Sequence, residues 1–116
     1  MSKPSDLTNV VERFDAFEER AGVRLEAVSA IADRSVNGTW TLVVLGELHA
    51  RNGLQLDPPR PGSYTYVYAT AHAADGRMIG QEHASFGHEH FYGFEAFKVT
   101  FYNLISKPSK IRVYPR

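Results

Sequence analysis

Apolar side chains recur at three- and four-residue spacing over residues 5–21: Leu7, Val10, Val11, Phe14 and Phe17, with Glu12, Arg13, Asp15, Glu18 and Glu19 between them. That period is the stripe of an amphipathic helix. The pattern therefore predicts one N-terminal α-helix over 5–21, capped by Ser5 or Asp6 and stopped by Gly22 in the left-handed conformation. The stripe is expected to dock on its own domain, with a partner-binding arm as the alternative, since its two Phe must be buried somewhere.

From residue 23 the period changes to two. Val23 to Ala32 reads as a strand, and Asn37-Gly38 as the turn before the next one. Thr39 to Ala50 alternates, with Trp40, Leu42, Val44 and Leu48 on one face and Thr41, Val43, Leu45, Glu47 and His49 on the other. Gly53, Pro58, Pro59, Pro61 and Gly62 then break any ladder, and a connection of that length crosses between sheets in a sandwich. Tyr64 to Ala74 has the clearest parity. Tyr64, Tyr66, Tyr68, Thr70 and His72 share one face, and Thr65, Val67, Ala69, Ala71 and Ala73 share the other. Asp75-Gly76 turns into a strand over 77–86. A strand over 93–103 carries Phe97, Val99 and Phe101 on one face, and Ile111 and Val113 mark a last short one. Six strands after one helix, with no alternation of strand and helix, predict a mainly β antiparallel sandwich over 23–115 within a single domain, 1–116.

Composition narrows what such a domain does. The 116 residues fit one domain, which at this size needs no covalent staple. Thirteen Lys and Arg balance thirteen Asp and Glu, so no basic excess points to nucleic acid or an anionic membrane. The chain has no cysteine, which removes disulfides, thiol chemistry and thiolate metal sites. No stretch approaches the roughly 20 apolar residues of a membrane span, and the N-terminus lacks the apolar core of a secretory signal. A cytoplasmic location is the default expectation.

Two groups of residues are candidates for function. The tyrosine face of Tyr64, Tyr66 and Tyr68, with Phe91 and Tyr92 nearby in sequence, offers more amphipathic ring area than a core accommodates comfortably, because each buried hydroxyl needs a partner. It is expected to be an interaction surface for a protein partner or a second copy, with stacking on a carbohydrate as the alternative. The second group is the histidine run from His83 to His90. In an extended segment His88 and His90 point to one side and reach one ion, with His83 or Glu95 as a third ligand and Glu89 as a possible base. A three-ligand site with an open position would suit zinc, iron or nickel in a small metal-dependent enzyme. The exposed-loop reading of the same run, between Gly87 and Gly93, needs no cofactor.

Some of these pieces resemble known families. Leu45-Gly46-Glu47-Leu48, then Val67 through Asp75-Gly76-Arg77-Met78-Ile79-Gly80, then Phe94-Glu95-Ala96-Phe97-Lys98-Val99 resemble, in this order, bacterial immunoglobulin-like domains of the FxLYD type over about residues 40–103. The name-giving stretch falls on Ala69-Thr70-Ala71-His72-Ala73, which has none of its named residues. The resemblance implies an antiparallel immunoglobulin-like sandwich of about six or seven strands without a catalytic set. His88-x-His90 followed by Glu95 is similar to the first metal motif of cupins. The second motif of that family needs a later histidine, and none follows Glu95. A non-enzymatic binding or oligomerisation module is the first expectation, and a cupin-like metalloenzyme the alternative.

Overall fold

The computed structural model describes residues 3–116. Eight strands and one α-helix follow in the order β1 (Ser5–Asp6), β2 (Val11–Arg13), α1 (Asp15–Ala21), β3 (Val23–Arg34), β4 (Trp40–Ala50), β5 (Tyr64–His72), β6 (Met78–Gly87), β7 (Phe94–Leu104) and β8 (Lys110–Pro115). They make two four-stranded sheets, β1-β3-β4-β7 and β2-β8-β5-β6. All pairings are antiparallel except β2 on β8. The six predicted strands are β3 to β8, each within a few residues of its expected bounds.

The N-terminal prediction needs correction. Of the helix expected over 5–21 only Asp15–Ala21 is helical. Upstream, β1 pairs with β3 in the first sheet, a single 3-10 turn follows over Thr8–Val10, and β2 joins the second sheet beside β8. Local polar groups favour this course. The Asp6 carboxylate accepts the Thr8 backbone N–H at 2.9 Å, ending the strand in an Asx turn. The Thr8 hydroxyl then accepts the N–H of Ala30 at 3.2 Å. Leu7 is buried and Val10 and Val11 pack on the core, so the same stripe is satisfied without a helix. Gly22 does stop α1 in the left-handed conformation, at φ 71°. The helix docks on β3 and β8 of its own chain, not as a free arm.

One core fills the space between the sheets. Val23, Leu25, Ala30, Leu42, Val44, Leu48, Phe97, Val99 and Phe101 enter it from the first sheet. Val67, Ala69, Ala71, Phe86, Ile111 and Val113 enter it from the second. The small side chains of β5 therefore face inward as their parity predicts, leaving room for the phenylalanines of β7. Gly46 stands across from Phe97 in the ladder, and a Cβ there would meet the Phe97 ring at 2.5 Å. A β-bulge interrupts β3 between Glu26 and Ser29, with Ala27 at φ 54°.

The proline-rich segment 51–63 crosses from the first sheet to the second, as expected, and is fastened along its length. Arg51 donates to the Val23 carbonyl at 2.7 Å, Gly93 N–H donates to the Leu54 carbonyl at 2.6 Å, and Leu56 is buried.

Candidate binding face

Parity alone places Tyr64, Tyr66 and Tyr68 on the outer side of the second sheet, because Thr65, Val67 and Ala69 face the core. Register then brings in residues from the flanking strands. Tyr68 lies opposite Tyr114 of β8 on one side and His83 of β6 on the other. The rings form a continuous series. Tyr64 to Tyr66 is 6.4 Å between centroids, Tyr66 to Tyr68 is 6.0 Å, and Tyr68 stacks on Tyr114 at 5.9 Å with 18° between planes. His83 packs in the angle between Tyr66 and Tyr68, at 5.7 and 5.3 Å. At the far end α1 adds Phe17, edge-on to Tyr114 at 5.4 Å, and the residue before the helix adds Phe14 at 6.3 Å. Tyr64 is 55% exposed, while Tyr66, Tyr68 and Tyr114 are half-buried by one another.

The charge on this face is uneven. Lys110 and Arg112 of β8 point outward beside the rings, and Glu12 of β2 answers both, at 3.1 Å to Arg112 and 4.0 Å to Lys110. Arg20 of α1 and Arg116 flank the Tyr114 end. Backbone bonds in both directions between Arg116 and Tyr66 hold the former beside β5.

Two residues expected on this surface are elsewhere. Phe91 is 2% exposed and packs edge-on against Phe86 at 6.3 Å, so it belongs to the core. Tyr92 is exposed in the connection between β6 and β7, and among the described residues no ring contact joins it to the tyrosine series. Sequence reasoning missed Tyr114, Phe14 and Phe17 as members of the face. Tyr114 carried one signal, its outward parity beside Arg112, but only the β5–β8 pairing shows where it stands.

The expected metal ligands are not brought together. His83 lies among the tyrosines. His88 is buried, with Nδ1 2.8 Å from the Pro58 carbonyl and Nε2 2.7 Å from the Thr65 hydroxyl. The carbonyl can only accept, so Nδ1 carries the proton and the Thr65 O–H donates to Nε2 in the neutral ring. Both nitrogens are thus committed, one to segment 51–63 and the other to β5. His90 is 82% exposed beside Glu89, and Glu95 sits on β7 in the other sheet. The reason is local. Residues 88–90 form a 3-10 turn, in which positions two apart point about 120° away from each other, so the shared face of an extended segment does not exist. Among the described residues no three His, Asp or Glu side chains are arranged to hold a metal ion.

The remaining histidines are satisfied in place. His72 meets the Thr70 hydroxyl at 2.9 Å and the Gly76 carbonyl at 3.2 Å. His49, on the outer side of the first sheet, has Glu26 and Glu47 both 3.0 Å from the same Nε2, with Phe94 stacked on its ring at 5.2 Å. No described helix is long and apolar enough to cross a membrane. In comparisons with protein families, with curated proteins and with solved structures, nothing matches this chain, so the FxLYD and cupin resemblances gain no support.

Proposed function

We propose that this protein is a non-enzymatic β-sandwich binding module that self-associates through the tyrosine face of its second sheet. The observation that carries this reading is the unbroken series Tyr64, Tyr66, Tyr68 and Tyr114 on the outer side of the sheet, which α1 covers only at its Tyr114 end. Rings that lie outside the core keep their apolar surface in water until another surface covers them, while their hydroxyls suit a partly wet contact. A second copy is the occupant best matched to the chain. Zero formal net charge means two copies approach without mutual repulsion, and a two-fold axis lays the same strip on itself.

Sedimentation equilibrium over a wide concentration range tests the reading. Twice the chain mass is expected for the wild type, and the single-chain mass for Tyr66→Ser/Tyr68→Ser and for Tyr64→Asp, an exposed position whose change leaves the core alone. Ile31→Ser/Leu45→Ser, on the outer side of the first sheet, is expected to stay dimeric. A wild type that is monomeric throughout, or a dimer indifferent to the tyrosine changes, overturns the proposal.

A further inference from the structure

Where α1 lies against the last strand, the outer side of the second sheet deepens into a groove of about 710 Å³. Its apolar walls are Phe14, Phe17 and Tyr114, and the two phenylalanines stand edge-on to the tyrosine, at 79° and 87°. Three arginines line the same space, Arg20, Arg112 and Arg116, and no Asp or Glu does. Glu12 at 3.1 Å answers Arg112. Arg20 and Arg116 have no ion-pair partner among the described residues. Gathering like charges opposes folding, and two of these three side chains gain no internal bond in return.

Guanidinium groups present planar forks that fit carboxylate and phosphate oxygens, and they do so best beside a surface that excludes water. The aromatic walls offer that surface and accept a flat ring by edge-to-face or offset contact. The groove also falls within the volume range of small-molecule sites, roughly 300–1,000 Å³. We infer that it is a binding site for a small planar aromatic molecule carrying an oxyanion, the ring held by Phe17 and Tyr114 and the anion by Arg20 and Arg116. The inference does not require self-association: the groove shares Tyr114 with the tyrosine series, but Phe17, Arg20 and Arg116 lie outside it.

The test uses the full chain, isotope-labelled, with 2-naphthyl phosphate as probe and backbone amide shifts as readout. Saturable shifts are expected at Phe17, Arg20, Tyr114 and Arg116. Binding is expected to be about tenfold tighter than that of neutral 2-naphthol or of inorganic phosphate alone, the scale of one charge-assisted contact pair. Arg20→Gln/Arg116→Gln is expected to weaken the probe about tenfold while its spectrum stays dispersed, with Arg20→Lys intermediate because it keeps the charge and loses the fork. Equal binding of 2-naphthol, shifts centred elsewhere, no saturable binding, or an indifferent double variant each overturn the proposal. A glutamate-rich peptide that displaces the probe and binds more tightly overturns it in favour of a protein partner.

Discussion

The carboxylate of Glu18 accepts the backbone N–H of Leu25 at 3.0 Å from inside the fold, where only 1% of the side chain is exposed. Its other contacts are with the Arg13 guanidinium, at 3.1 and 3.3 Å. One carboxylate thus joins α1, β3 and the end of β2. Glu18→Ala is expected to cost about 2–3 kcal/mol in urea unfolding, since it strands a buried N–H and leaves Arg13 unanswered. Glu18→Gln retains an acceptor for Leu25 and is expected to cost about half as much.

His88 is expected to act as a fastener rather than a ligand. His88→Ala removes both its bonds, to Pro58 and to Thr65, and leaves a void beneath segment 51–63. The expected loss is about 2 kcal/mol, with faster amide hydrogen exchange at Arg60 and Ser63. His83→Ala, on the exposed face, is expected to change stability by less than about 0.5 kcal/mol.

Gly46 has no room for a side chain. Gly46→Ala drives a methyl into the Phe97 ring and is expected to cost about 1–3 kcal/mol. Phe97→Leu should recover part of that loss in the double variant, which thermal unfolding of the four members of the cycle would show. Additive losses would mean that the backbone, not the ring, takes up the strain.

Ala27 occupies the left-handed region at φ 54°, a conformation that costs an L-residue about 1–2 kcal/mol. Ala27→Gly relieves that cost against about 0.5–1 kcal/mol of extra chain entropy when unfolded. A small net gain in the urea midpoint is expected. This is one substitution in the protein for which adding glycine stabilises.

Asp75 sets a pH dependence at the turn into β6. Its carboxylate accepts the Arg77 backbone N–H at 3.0 Å and the Arg77 guanidinium at 2.9 Å, and these bonds hold its pKa below the usual 3.8. A pKa depressed in the folded state means the contribution is present above 3.8 and fades as pH falls through the lower folded value. A carbon-detected titration of Asp75 is expected to give a midpoint below 3.8. Arg77→Gln should raise that midpoint.

Strand parity was the most legible level of this chain. The alternation from Tyr64 to Ala73 is enough to put the tyrosines outside and Thr65, Val67, Ala69 and Ala71 inside, and the turn dipeptides Asn37-Gly38 and Asp75-Gly76 mark two hairpins correctly. The segment 5–14 misled because Leu7, Val10, Val11 and Phe14 fit a helical stripe, while the bonds that decide the matter come from Ala30 and from β8, both distant in sequence. The histidine run misled for a similar reason. His88 is turned inward by Pro58 and Thr65, thirty and twenty-three residues upstream, and no spacing within 83–90 encodes that. The groove was illegible altogether, since its residues come from α1 and the last strand and meet only in three dimensions.

The parallel seat of β2 beside β8 has a consequence for how the protein is made. The Glu12–Arg112 bond closes a loop of 100 residues, so the first strand of the second sheet cannot be seated until the last has left the ribosome. During synthesis Val11 lacks its partner Ile111, whereas Ser5 needs only Ala32 of β3 and the Leu7 N–H only the Ala30 carbonyl. β2 is thus seated only after β8, while its neighbour β1 is held by a strand much closer in sequence.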